Sequence, residues 1–482
     1  MRKQKSLKLN FIMNAFLTMS SFIFPLITFP YVSRILLPAG TGKVSFATSV
    51  ISYFAILAQL GIPTYGIRVC AKVRDDKVKL SKVTQELLII NIITCCISYF
   101  ILGILLSVIP RFQSDKPLMI IMSMTLLFNT IGMEWLYKAL EQYTYITIRS
   151  IIFKIIALIA MFCFVHNKND YTVYGAISIF ASSASNIFNL LNVHKYIYLR
   201  PTKGYELKKH LKPILVFFAI SCAATIYTNL DTVMLGFIKT DTDVGCYNAA
   251  VRIKTILVSI VTSLGVVLLP RASYYLEHNE EEEFFRITRK AINFVFLIAV
   301  PLMIYFIVFA KEGIFFLSGD AYTGAIIPMQ IIMPTLLFIG LTNIMGIQML
   351  VPMGREKIVL YSEIAGAIID LILNMILIPK LSATGAAIGT LVAEIVVWIV
   401  QYYALKNEVK EAYKSINYNS IILAVFIAMI CSIGVKEMMI NVFFKLMTSA
   451  IIFFGVYYIV LIIRKEPLLI EISKQIILKK RK

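Results

Sequence analysis

The sequence predicts an all-α polytopic membrane protein of about fourteen transmembrane helices, arranged as two pseudo-symmetric six-helix lobes plus two C-terminal helices. Two observations carry this. The 482-residue chain is 59% hydrophobic and only 15% charged, with a mean hydropathy of +0.80. Its apolar runs recur at close to the ~20 residues that a bilayer crossing requires.

The first element sets the pattern. The segment FIFPLITFPYVSRILLPAGTGKVSF (22–46) reads as a helix interrupted at Pro25 and Pro30, a cation at its rim (Arg34), a turn from Pro38 to Gly42, and a second span. Each proline removes a backbone donor. In lipid such breaks survive only beside other helices or a water-filled cavity. A bent helix ending in Arg points to a moving part beside a polar cavity. The competing reading is a kink with an interfacial Arg that snorkels. The first run is a full-length span, so no cleavable signal peptide is expected.

The predicted spans run over 10–33, 44–66, 84–109, 117–139, 148–166, 171–194, 211–237, 246–269, 287–310, 325–352, 358–378, 383–405, 418–435 and 442–463. Most basic residues fall in alternate connections: the N-terminus, 67–83, 140–154, 195–212, 270–290, 353–357, 404–417 and the tail. By the positive-inside rule both termini are cytoplasmic. The same bias explains the net charge of +20 as topology, so nucleic acid is not an expected partner. The KKRK tail can touch anionic lipid. The acidic run at 276–290 reads as a short amphipathic cytoplasmic helix.

The best division lies at Lys195–Lys212, giving an N-terminal lobe 1–205 (helices 1–6), a C-terminal lobe 206–405 (helices 7–12), and 406–482 with helices 13 and 14 and the basic tail. Spans 1 and 7 each end in a charged residue (Arg34, Asp231), a short turn closing on glycine (Gly42, Gly245), and a polar helix start. This is the trace of an internal repeat, as in transporters built from two halves.

Several spans carry polar stripes at helical spacing. Span 1 has Asn14, Thr18, Ser21 and Thr28, and span 8 has Asn248, Arg252, Thr255, Ser259 and Thr262. Hydroxyl-only faces serve helix packing as readily as transport. Ionisable groups within a span are costly, at ~2.5–3.5 kcal/mol or more near mid-bilayer, and point to a polar pathway. The candidate cavity cations are Arg34, Arg252 and Lys254; Lys254 points roughly 200° away from Arg252, where it either lines a different surface or snorkels. Glu134, Lys138 and Glu141 form either a local ion-pair set or a cytoplasmic gate. Asp231, Glu363, Asp370 and Glu394 are the carboxylates available for H⁺ or Na⁺ coupling, or serve as hydrogen-bonded scaffold.

Other chemistry is excluded. AGTGKVS lacks the first glycine and the hydroxyl of a phosphate loop. DTD (241–243) sits in a short loop and reads as a turn. The seven cysteines form no CxxC pair and read as small core residues, and the four histidines read as solvated loop residues. No metal, no cofactor beyond a coupling ion, and no enzymatic constellation is expected.

The segments FPLITFPYVSRILLPAGTGKVSFATSV, GMEWLYKALEQY and NLDTVMLGFIKTDTDVGCYNAAVRI closely resemble the polysaccharide flippases of the MOP superfamily, the Wzx-type exporters of capsule and O-antigen repeat units. The resemblance implies two lobes arranged as a V, alternating access, and a cationic cavity. It implies an oligosaccharide cargo on undecaprenyl pyrophosphate, moved to the outer leaflet of the bacterial cytoplasmic membrane. Membrane lipids, a polysaccharide polymerase and chain-length proteins are the expected partners. Arg34 and Arg252 fall at positions where such flippases commonly carry cavity cations. The alternatives are a cation-coupled drug exporter, a flippase of the peptidoglycan lipid precursor, and, in another class, a membrane polysaccharide polymerase. The short external loops argue against the polymerase.

Overall fold

The computed structural model describes residues 7–202 and 204–470. The first basic residues of the N-terminus, Lys203 and the KKRK tail lie outside the described residues. The described chain is built of helices and connecting turns, as the hydropathy requires.

Helix α1 (Leu7–Gln59) corrects the expected breaks. It continues through Pro25 and Pro30, and its one non-helical residue is Leu37, with φ 59 and ψ 176. Leu37 precedes Pro38, and a residue before proline is pushed out of the α region. Pro38 then starts the second half of the helix, where its missing donor costs nothing. The segment Pro38–Gly42 is therefore a first helical turn and not a loop.

The chain continues through α2 (Ile62–Lys72), α3 (Lys77–Val108), the single turn α4 (Pro110–Gln113), α5 (Lys116–Gly132), α6 (Glu134–Ala139) and α7 (Tyr143–Phe164). Helices α8 (Tyr171–Ser182) and α9 (Ile187–Asn192) follow, then α10 (Lys208–Ile238) and α11 (Asp241–Glu277). The remaining helices are α12 (Glu281–Val308), α13 (Ala310–Ser318), α14 (Ile326–Ile332), α15 (Thr335–Thr342), α16 (Glu356–Leu381), α17 (Ala383–Ala404), α18 (Lys406–Lys414), α19 (Tyr418–Ile433) and α20 (Val442–Ile463). Between α15 and α16, residues Asn343–Leu350 form a π-helix.

Among the described residues, 10 helices are long and apolar enough to span a membrane, or up to 12 with two bent pairs counted. The expectation of about fourteen differs for two visible reasons. Helix α1 holds the first two predicted spans end to end, joined directly at the break at Leu37, so that they count as one helix. The fourth is divided into α5 and α6 by Met133, which adopts a left-handed φ of 42.

Packing gathers the chain into two compact units, Met1–Gly245 and Cys246–Lys482. Helix α10 thus groups with the first unit, whereas the expected lobe boundary lies at 205/206. The connection explains why. Gln85 of α3 donates to the carbonyls of Tyr198 (2.7 Å) and Arg200 (3.0 Å), and Glu86 accepts from the Glu206 amide (2.8 Å). His210 at the start of α10 is bonded to Glu86 (2.8 Å) and to the Tyr65 hydroxyl (2.8 Å). Glu86 and His210 are both buried, so His210 is a core residue and not a solvated loop histidine. An apolar cluster of Ile62, Leu80, Leu87, Trp135, Leu136 and Ile214 surrounds this junction.

Candidate functional site

In the first unit the polar stripe of α1 is open over its first turns and closed further along. Asn14, Thr18 and Ser21 are exposed and Thr28 is buried. Hydroxyls that bond back to the preceding turn keep such a face compatible with a helix. Thr18 donates to the Asn14 carbonyl (3.0 Å) and Thr28 to that of Phe24 (2.9 Å). Arg34 is exposed, and its guanidinium donates to the Pro30 carbonyl one turn back.

Helix α7 presents two cations that were counted as connection residues in the sequence. Arg149 is 7% exposed. It donates to the Ser185 carbonyl (2.8 Å) and the Asn186 side chain (3.0 Å), and stands 3.5 Å from Glu134. Span 6 bends 41° here between α8 and α9, and α5 gives way to α6 at Met133. Arg149 satisfies backbone freed where a span is broken, which lipid cannot do. One turn further, Lys154 donates to the hydroxyls of Ser20 (2.8 Å) and Ser21 (3.0 Å) on α1.

The Glu134, Lys138 and Glu141 set is split. Glu134 pairs with Lys138 at 2.8 Å across one helical turn and is shared with Arg149. Glu141 turns away, with a left-handed φ of 55, to meet Arg74 (2.6 Å) and Asn10 of α1 (3.4 Å). That carboxylate holds the Arg74 guanidinium above its ordinary pKa through a direct hydrogen bond. Sequence spacing could not show these partners, because they come from α1 and the α2–α3 connection.

A second ionic group joins α1, α4, α5 and the start of α11. Lys43 binds Asp115 at 2.7 Å, Tyr171 donates to the same carboxylate at 3.2 Å, and Arg111 bridges Asp115 and Asp241. The pseudo phosphate loop is thus an ion-pair site within a helix. DTD is a helix start, in which Asp243 accepts from the Thr240 amide (3.1 Å) and hydroxyl (2.6 Å). This is a capping arrangement. At the same place Gly42 and Gly245 pack reciprocally. A Cβ on Gly42 would lie 1.8 Å from the Asp241 carbonyl oxygen, and one on Gly245 2.0 Å from that of Pro38. Glycine is required because backbone meets backbone.

In the second unit Arg252 and Lys254 are both half-buried on α11. The acidic candidates gather on α16 and α17. Asp370 and Asn374 are buried one turn apart on α16. Both press on Gly389 of α17, whose Cβ position lies 2.9 Å from Asp370 Oδ1 and 2.5 Å from Asn374 Oδ1. Thr390, the residue after Gly389 in the chain, is bonded to the Tyr247 hydroxyl at 3.0 Å. Glu363 and Glu394 lie within electrostatic reach of one another. Asp231 is buried on α10 in the first unit. A further polar patch, missed in the sequence, surrounds the π-helix: Gln401 donates to Ser362 (3.0 Å), and Gly265 makes room for Asn343 and Gln348. Its signal was three amide side chains in otherwise apolar runs. Among the described residues no group of three or more metal-ligating side chains occurs.

Residues 7–276 match the family model described as polysaccharide biosynthesis protein, and residues 217–376 match that described as MatE. The chain is 26% identical over 404 residues to a "Putative O-antigen transporter" of Escherichia coli K12, covering 83% of this chain and 97% of that one. It is 24% identical over 391 residues to the protein of the same description in Shigella dysenteriae, covering 80% and 97%. The fold is similar to the lipid II flippase MurJ in an inward closed conformation, with TM-score 0.75 and 15% identity over 95% of this chain and 100% of that one. It is also similar to an inward-facing multidrug resistance MATE family transporter of the MOP superfamily, with TM-score 0.63 and 15% identity over 84% and 99%.

Proposed function

Since the chain belongs to the polysaccharide biosynthesis protein family, we propose that it is a flippase. It carries undecaprenyl-pyrophosphate-linked oligosaccharide repeat units from the inner to the outer leaflet of the bacterial cytoplasmic membrane. The observation that carries this reading is the near full-length similarity to the O-antigen transporters. Physics agrees with it. Unsatisfied sugar hydroxyls and phosphates cost several kcal/mol each in hydrocarbon. The exposed Asn14, Thr18 and Ser21 of α1 offer replacement hydrogen bonds. Arg34 and Arg252, with Lys254, supply cations, and arginine matches phosphate in a two-pronged geometry.

The cycle is alternating access with both termini cytoplasmic. Glu134, Lys138 and Glu141, through their bonds to Arg149 and Arg74, serve as the cytoplasmic gate. Asp370 leads the cation-coupling set, with Asp231, Glu363 and Glu394, because the neutral side-chain oxygen of Asn374 faces the same point of α17 at Gly389. Such oxygen-rich surroundings suit H⁺ or a hard cation. No bond is broken in the cycle. A polymerase and chain-length proteins would take the cargo on the far side.

The likeness to the lipid II flippase fold favours one second reading, a peptidoglycan precursor as cargo. Leaflet location of the lipid-linked repeat unit in cells lacking this protein tests both. Accumulation on the cytoplasmic face, relieved by the wild type but not by Arg34→Ala/Arg252→Ala, is expected. Full export by the double variant removes the two arginines from the site. Repeat units that reach the outer face without the protein refute the flippase reading.

A further inference from the structure

Lys154 stands eleven residues into α7 (Tyr143–Phe164), the middle of the helix. An ammonium within a membrane-spanning helix is expensive and is kept for a polar path or a partner. Its partners are neutral. Ser20 and Ser21 accept from its Nζ, while each donates its own proton to the Leu17 carbonyl. No carboxylate lies within ion-pair distance of Lys154 among the described residues, and a lysine has three donors to offer. The nearby carboxylates are already engaged by other cations. Arg149 and Lys138 share the single Glu134 carboxylate, and Glu141 is taken by Arg74. The group Lys138, Arg149, Lys154 and Glu134 therefore carries two positive charges in excess. Ser21, Thr18 and Asn14 are exposed beside it, so the site is open along the α1 stripe.

We propose that Lys154, seated on Ser20 and Ser21, is an anion-binding station for the diphosphate of the lipid carrier, separate from the one formed by Arg34. Two excess positive charges match the two negative charges of a diphosphate diester. At 1.5 Å per residue, Ser20 and Arg34 are roughly 21 Å apart along α1. One diphosphate cannot span that interval. The hydroxyl stripe between them offers bonds to the sugars while the anion is handed from Lys154 to Arg34. This rests on the flippase reading and adds to it a position and an order of contact.

The test uses the full-length protein in phosphatidylcholine nanodiscs, titrated calorimetrically with farnesyl diphosphate. Lys154→Gln is expected to weaken binding by about tenfold or more, since it removes a charge-assisted hydrogen bond. Lys154→Arg is expected to retain binding, and farnesol is expected to show no dependence on residue 154. Should Lys154→Gln lower the unfolding temperature, Ser20→Ala/Ser21→Ala takes its place, and it too is expected to weaken the diphosphate. Equal binding by wild type and variants overturns the station while leaving the flippase reading in place. No diphosphate binding by the wild type overturns both. Displacement of farnesyl diphosphate by phosphatidylglycerol nanodiscs overturns the proposal in favour of an ordinary lipid headgroup contact.

Discussion

Replacing Gly42 by alanine tests the reciprocal contact between α1 and the start of α11. The new methyl would stand 1.8 Å from the Asp241 carbonyl oxygen, 2.7 Å from its carbon and 2.9 Å from the Gly245 nitrogen. All three are backbone atoms, so no side chain can swing aside. A carbon–oxygen contact normally settles near 3.3–3.6 Å. The two helix turns must therefore part by roughly 1.5 Å, which also strains the Arg111 bridge to Asp241 and Asp115. Overpacking of this kind costs about 1–3 kcal/mol, and backbone on both sides places it at the upper end. Gly245→Ala meets the Pro38 carbonyl at 2.0 Å and should cost a similar amount. Because either change separates the same pair of turns, the double variant should cost clearly less than the sum. Gly103→Ala and Gly455→Ala are the controls. Both lie in helices with nothing within 4 Å of the added methyl, so alanine should stabilise by up to about 1 kcal/mol. Thermal unfolding in detergent, read beside transport complementation, gives the result. A Gly42→Ala protein with the wild-type midpoint and wild-type export, or strict additivity in the double variant, refutes the contact.

Two other perturbations follow from the segment that leads into α10 within the first unit and from a helix cap. His210→Phe keeps the ring volume but leaves the buried Glu86 carboxylate without one of its donors. It should cost about 1–3 kcal/mol in detergent unfolding and open the segment before α10 to protease, and an unchanged digestion pattern would refute the role of the Glu86–His210 bond. Asp76 accepts the Val78 and Lys79 amides at the start of α3, and these bonds hold its carboxyl below the usual range. A depressed folded value means its contribution is complete at neutral pH and is lost as pH falls through the lowered value. The wild type should lose stability relative to Asp76→Asn as pH falls through the acidic range, and parallel profiles would contradict this.

The span order was readable from hydropathy because lipid imposes a length and a composition on every crossing. The Gly42 and Gly245 correspondence was also readable, since a backbone contact leaves glycine as its mark. Lys154 and Arg149 were not. A window average places a charged residue at the edge of a span, and only the packing of α1 and the broken spans shows that helix α7 carries them inside. Glu86 and His210 were hidden for another reason: they are far apart in sequence, and pairing at that range leaves no periodic trace. The prolines of α1 misled because Pro25 and Pro30 are accommodated within the helix, while the break falls on Leu37, the residue before Pro38.

The fastening of residues 198–210 to α3 has a consequence for biosynthesis. Among the described residues, the side chains that fasten that segment from outside it, Tyr65, Lys77, Ser81, Gln85 and Glu86, precede it in the chain. The first compact unit ends at Gly245, so it contains nothing that is translated later. Domains fold from the N-terminus as the chain emerges. The first half can therefore finish its internal bonding while the ribosome is still making the second. Separate synthesis of the two halves in one cell becomes a practical way to rebuild the transporter.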